Sequence, residues 1–214
     1  RLRILKAGLD FDFTDAYGRT IISNELDHGI GDIMGGLDKV DTHASRSGAG
    51  GRFLKDTLYL VRLQKIPLNT VFLWIYQMQF SPYILPATEQ FQIGGIVNVR
   101  GYPLAEAVGD RGASMTWELS VPPCPKAKNI KVPFSKANLY DALRFVVFYD
   151  WATAHLKRPT ATEEKNKTLR GIGTGVRFNL PEDFSFRLEV AWPLDNTPSD
   201  SDHAHTWFEV SKTF

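Results

Sequence analysis

The 214-residue chain has a single cysteine, Cys124, which rules out an intrachain disulfide framework and a cysteine-built zinc site. It also lacks a charge imbalance. Twenty-five Lys and Arg against 24 Asp and Glu leave a formal +1, so there is no bulk electrostatic drive toward nucleic acid or an anionic surface. Long apolar runs are missing too. The longest, Val71-Phe-Leu-Trp-Ile-Tyr76, is far short of the roughly 18 to 20 residues of a membrane helix. A membrane strand remains open, because it needs only about 9 to 11 residues with every second one apolar. The chain starts at Arg1 without a methionine, a basic leader or an apolar signal core, which reads as a mature protein or a piece of a longer one. No grouping of serine, cysteine or carboxylate suggests an enzyme. Gly171, Gly173 and Gly175 do not have dinucleotide-fingerprint spacing, and Gly48, Gly50 and Gly51 lack the Lys-Ser follow-up of a phosphate loop.

What the sequence does have is a period of two. Leu5, Ala7, Leu9, Phe11 and Phe13 alternate with Lys6, Gly8, Asp10 and Asp12. A turn at Thr14 to Gly18 leads to a weaker partner over 19–28. The stretch 53–66 ends at Pro67, and Leu68, Thr70, Phe72, Trp74, Tyr76, Met78 and Phe80 then share one face. The same alternation marks 113–121, 143–152, 169–180, 184–192 and roughly 206–214. This predicts nine strands and no helix. The connections at 14–18, near 66–68 and at 180–183 are tight, whereas 29–52, 81–112, 153–168 and 195–205 are long. Short turns at one end and long loops at the other are the habit of outer-membrane barrels. The connection Pro122 to Asp141, with four lysines, falls on the short side and breaks the pattern.

A soluble β-sandwich or lipocalin-like barrel alternates in the same way. Here, however, the polar face mixes glycines with Arg144, Asp150, Arg177, Arg187 and Glu189, which suits a wet lumen crossed by ion pairs. The apolar face carries Tyr76, Phe80, Tyr149, Trp151 and Trp192 near strand ends, as interfacial girdles require. The pattern favours an all-β, antiparallel transmembrane β-barrel. Asp202, His203 and His205 are the only grouping suggestive of a metal, and a solvated loop accounts for them.

Within the long 81–112 loop, residues 94 to 103 read GGIVNVRGYP, a lone arginine among small and apolar residues. Pro86-Ala-Thr-Glu-Gln-Phe-Gln-Ile-Gly-Gly95, Val99-Arg-Gly-Tyr102, Gly109-Asp-Arg-Gly112 and Trp117-Glu-Leu119 together resemble the signature region of the BamA/TpsB superfamily of outer-membrane barrels. Phe148-Tyr-Asp150, Gly173-x-Gly175-x-Arg177 and Leu188-Glu-Val-Ala-Trp-Pro-Leu194 are similar to the family's following strands. The terminal segment, with Phe208, Val210 and Phe214, is similar to its aromatic insertion signal. The spacing after VRGY is most like the TpsB branch, the pores of two-partner secretion.

The resemblance implies a function and a set of roles. The loop carrying Gly94, Gly95, Val99, Arg100, Gly101, Tyr102, Gly109 and Asp110 would fold back into the lumen, where Arg100 would pair with wall carboxylates. Glu118 and Asp150, both on the polar register, are the expected partners. Gly173, Gly175 and Arg177 would line the wall facing the loop, the glycines leaving room for its tip. The implied partners are a secreted TpsA-like client or a barrel-protein substrate, the lipid bilayer, and the machinery that inserts the barrel; no cofactor, metal or nucleic acid is implied. The family's barrel has sixteen strands and is preceded by POTRA domains. Nine strands cannot close without exposing unpaired edges to lipid, so residues 1–214 are expected to be the C-terminal part of a longer chain. An insertase of the BamA kind and, in another class, a passive porin or surface-binding β protein are the alternatives.

Overall fold

The computed structural model of the chain describes residues 2–31, 44–133, 135–181, 184–195 and 197–213. Its backbone is one antiparallel sheet with a loop folded against one face. The sheet strands are β1 (Ile4–Asp15), β2 (Gly18–Gly29), β3 (Phe53–Ile66) and β4 (Thr70–Phe80), then β7 (Arg111–Val121), β8 (Leu143–His155), β9 (Asn166–Leu180), β10 (Phe184–Pro193) and β11 (His205–Lys212). They pair in chain order, β1-β2-β3-β4-β7-β8-β9-β10-β11. Among the described residues β1 and β11 each have one partner, so the sheet is a partial barrel that does not close on itself.

Within the inserted loop, β5 (Phe91–Ile93) and β6 (Ala107–Gly109) form a separate two-stranded ribbon that alternation did not reveal, because three-residue strands are too short to show a period. β4 starts at Thr70, not Leu68. Leu68 and Asn69 instead lie in the left-handed region, with φ of 65° and 58°, and turn the chain.

The register separates the two faces. Leu5, Leu9, Phe11 and Phe13 of β1 point outward and are more than 60% exposed. The outward row continues through Leu58, Trp74, Trp117, Tyr149, Ile172, Leu188 and Phe208. An apolar exterior of this extent is compatible with lipid and not with water. The opposite face carries Asp27, Lys55, Gln79, Ser114, Thr116, Glu118, Asp150 and Glu189, all buried beneath the loop or among one another. A buried apolar cluster of Phe91, Ile93, Val99, Tyr102, Ala152, Ala154 and Leu169 glues the loop to β8 and β9. Burying about 25 cal/mol per Å² of apolar area, this cluster holds the loop without choosing a register for its charges.

The 122–141 connection is a folded cap. A 3-10 helix, Pro125–Asn129, begins on a proline that has no N–H to leave unpaired. An isolated bridge joins Lys131 to Asn138. One helical turn, α1 (Leu139–Ala142), is capped by Asn138, whose side chain accepts from the Asp141 N–H at 2.9 Å. The expectation of no helix is corrected by that single turn. Ala127, Tyr140 and Ala142 are buried, and Lys128 Nζ lies 4.8 Å over the Tyr140 ring.

Candidate functional site

The tip of the loop is shaped by its own hydrogen bonds. Gly94 and Gly95 take φ of 105° and 87°, values that side-chain-bearing residues rarely adopt. Asn98 accepts from the Gly94 N–H at 2.8 Å and donates to the Gln92 carbonyl at 2.9 Å. The Gly95 N–H reaches the carbonyls of Val99 and Tyr102 at 3.1 and 3.0 Å. The result is a compact turn whose apolar side, Ile93, Val99 and Tyr102, is wholly buried, and whose other side presents Arg100.

Arg100 is 4% exposed and meets three carboxylates. Its Nε and Nη2 donate to the two oxygens of Asp150, both at 2.9 Å, in the forked geometry that makes arginine–carboxylate pairs strong. Its Nη1 donates to Glu118 at 3.1 Å and to Glu189 at 3.0 Å, and its backbone N–H reaches Asp150 at 3.2 Å. The guanidinium carbon sits 3.3 Å over the centre of the Phe148 ring, a favourable cation–π arrangement. Thr116 donates to Asp150 at 2.9 Å and orients it.

Around this centre, Arg177 donates to both oxygens of Glu118 at 2.6 and 2.7 Å and to Glu189 at 2.6 Å. Arg187 adds a bond to Glu189 at 2.7 Å. Three guanidiniums thus face three carboxylates, and a buried cluster with no net charge is the form that low dielectric tolerates. Burial works against the charge on Arg100, yet its hydrogen bonding to Asp150 and the fields of Asp150, Glu189 and Glu118 raise its pKa above the ordinary arginine value.

Close approach to the wall depends on small residues. A Cβ on Gly101 would lie 2.8 Å from the backbone carbon and oxygen of Trp192, so the loop rests directly on β10. Opposite it, Gly171 lies against the Gly101 N–H and the Val99 side chain. Gly173 and Gly175 do not face the tip: Gly173 makes space for the Phe148 ring, where a Cβ would lie 2.2 Å away, and Gly175 for Glu189, at 2.6 Å. Their relation to the loop is indirect, through the two side chains that receive Arg100. From β11, the Trp207 indole N–H donates to the Arg100 carbonyl at 2.9 Å.

Two further polar anchors hold the loop. Asp110, fully buried, accepts from Arg46 at 3.2 and 3.3 Å, from the Leu85 N–H at 2.7 Å and from the Lys157 N–H at 2.7 Å. Arg46 also donates to the Lys157 carbonyl at 2.8 Å. Three long loops are stapled at that carboxylate. Nearer β3, Lys55 bridges Glu89 of the loop at 2.7 Å and Asp27 of β2 at 2.8 Å. Gly109 is pressed against the His155 backbone, where a Cβ would lie 2.6 Å away.

Sequence parity pointed to Glu118 and Asp150, and both contact Arg100; it did not single out Glu189, Arg187, Phe148, Arg46 or Lys55. Glu189 was legible as a lumen-facing charge, and only the stagger of β10 against β8 brings it to the same centre. Phe208 and Val210 face outward and are exposed, while Phe214 lies outside the described residues. Asp200, Asp202 and His205 place one ligand atom each within 4.8 Å of one another. His205 Nε2 is hydrogen-bonded to Asp200 at 2.8 Å, a contact that holds the Asp200 pKa below its ordinary value. His203 is not part of it.

A sheet that is apolar on one face and polar on the other, with a loop ion-paired to its polar face, defines a class, the wall of a transmembrane β-barrel. The chain belongs to the Omp85 superfamily: the Omp85 superfamily domain matches residues 53–214. Among solved structures it is similar to CdiB from Escherichia coli, with a TM-score of 0.72 at 18% identity over 100% of this chain and 37% of that one. It is also similar to CdiB from Acinetobacter baumannii, with a TM-score of 0.69 at 18% identity over 97% of this chain and 32% of the other. The chain therefore spans about a third of the length of these structures. No curated protein matches the sequence.

Proposed function

We propose that the chain is the C-terminal barrel region of an outer-membrane pore of the TpsB kind, which exports a client protein to the cell surface by two-partner secretion. The observation that carries this reading is the buried Arg100 cluster. A passive pore has no need of a loop held in its lumen by five hydrogen bonds from one arginine. A pore that must stay shut until a client arrives does. In this reading Arg100, Glu118, Asp150 and Glu189 form a lock rather than a catalytic group, and translocation proceeds without a cofactor. The other strands and the POTRA domains lie elsewhere in the full protein. The edges of β1 and β11, unpartnered among the described residues, and the 37% coverage of the Escherichia coli structure support that placement. The partners are a secreted client of the TpsA type, the bilayer, and the machinery that inserts the barrel.

The test uses the full-length protein. Arg100→Ala and Asp150→Asn should abolish appearance of the client outside the cell while the barrel remains heat-modifiable on a gel, the mark of a folded membrane barrel. Normal export in both variants would dispose of the lock. If other outer-membrane barrels fall in amount while client export stays intact, the protein is an insertase.

A further inference from the structure

At the long-loop end of the sheet, on its outer rim, lies a cavity of about 510 Å³ lined by Gly48, Arg52, Pro82, Tyr83, Ile84, His155, Lys157, Arg158 and Lys165. Its charge is one-sided. Four lining residues are Arg or Lys, one is His, and none is Asp or Glu. His155 is taken up by Asn166 at 2.5 Å. The side chains of Arg52, Lys157, Arg158 and Lys165 have no carboxylate partner among the described residues, whereas Arg46, Arg62, Arg100, Arg170 and Arg177 all do. Asp110, the acid that acts on Lys157, is already saturated by Arg46 and two backbone N–H groups.

In a chain with a formal charge of +1, four unpaired cations around one cavity form a local concentration of charge, not a share of a general excess. Burial, and then the neighbouring Arg111 beside the cavity, lower the pKa of the Lys157 ammonium against the pull of Asp110. Leaving like charges clustered is costly unless an anion offsets them.

The position selects the anion. By strand alternation His155 and Arg111 continue the outward face of β8 and β7, and Arg52 precedes β3 on the register of outward-facing Leu54. Leu54 and Phe80, on adjoining strands and both outward, are exposed just inside that rim. Cations capping an apolar, lipid-facing wall are arranged to meet an amphiphile whose acyl chains lie along the wall and whose head carries phosphate. The volume lies within the usual range of ligand pockets and suits a phosphorylated sugar. Tyr83 and Pro82 supply a face for a sugar ring to rest on.

We propose that this cavity binds the phosphorylated head of an outer-leaflet glycolipid, with Arg52, Lys157, Arg158 and Lys165 as its ligands. The proposal rests on the long loops facing the cell exterior, as in the reading above, and not on any step of export. Purified full-length protein in phosphatidylcholine vesicles would be titrated with bisphosphorylated lipid A, with the same lipid after phosphatase treatment, and with inorganic phosphate.

Bisphosphorylated lipid A should bind the wild type at least about tenfold more tightly than the other two probes. The Arg52→Ala/Lys157→Ala/Arg158→Ala/Lys165→Ala variant should lose that preference while remaining heat-modifiable. A partial variant, Arg52→Ala/Lys165→Ala, changes only exposed side chains and keeps the test open if the quadruple variant fails to fold; it should lose at least about threefold. Equal binding of the dephosphorylated lipid would overturn the site, and equal binding of inorganic phosphate would overturn the lipid as its source. Arg100→Ala should bind lipid A as the wild type does even if export is lost, so failure of the lock and failure of this site read out separately.

Discussion

Replacing Arg100 by alanine should release the loop tip without dissolving the sheet. The wild-type centre balances Arg100, Arg177 and Arg187 against Glu118, Asp150 and Glu189. Removing Arg100 leaves three carboxylates with two arginines, and among the described residues Asp150 keeps only Thr116 as a side-chain donor. Breaking a buried ion pair from one side costs about 3 to 5 kcal/mol. At about 1.4 kcal/mol per decade, this shifts the open-to-closed ratio of the loop by about two to three and a half decades. The strands are not party to the loss, because their ladders are independent of the loop. Amide hydrogen exchange of the full-length protein in detergent reads the effect. Peptides spanning 94–104 should exchange at least about a hundredfold faster, while those from β8 and β9 stay protected. Arg100→Lys separates charge from geometry: it restores the balance but cannot fork Asp150 while reaching Glu118 and Glu189, so its protection should fall between the two. Unchanged protection of 94–104 in Arg100→Ala would show that the apolar cluster around Val99 and Tyr102 holds the loop by itself, and the ionic argument would fail.

Three other outcomes are expected. Arg46→Ala should loosen the three loops joined at Asp110, seen as faster exchange around 83–86 and 156–158, while the tip at Arg100 stays protected; loss of protection at both would mean the anchors are one cooperative unit. Gly173→Ala forces a Cβ to within 2.2 Å of the Phe148 ring, and overpacking of that kind costs about 1 to 3 kcal/mol; Gly8→Ala, whose nearest contact is 3.3 Å, serves as the mild control, and equal midpoints in urea for the two would contradict the packing. Cys124, exposed and alone in the 122–141 cap, should react with a membrane-impermeant maleimide only after the outer membrane is permeabilised; labelling of intact cells would invert the topology.

The strands were readable because alternation is local: Leu5 to Phe13 and Phe145 to Trp151 carry it without reference to anything else. That same parity placed Glu118 and Asp150 on the inner face. What it does not contain is azimuth, since every second residue of every strand faces inward, and pairing register decides which of these charges converge. Glu189 reaches Arg100 only because it pairs with Gly175, which in turn stands beside Val146 of β8. Gly173 is small because Phe148 is its cross-strand partner, a fact that no inspection of the glycine run alone could supply. The Arg46–Asp110 staple joins residues 64 apart in two irregular loops, where sequence has no period to read.

The Trp207 indole bond to the Arg100 carbonyl ties the loop tip to β11. β11, like β1, has a single partner among the described residues, and its Trp207 side chain holds the backbone of Arg100. Two parts far apart in sequence are thereby linked. Withdrawing the tip strands the indole donor, and displacing β11 pulls on the tip. Such a linkage runs with equal force in both directions, so whatever displaces β11 is felt at the backbone of Arg100.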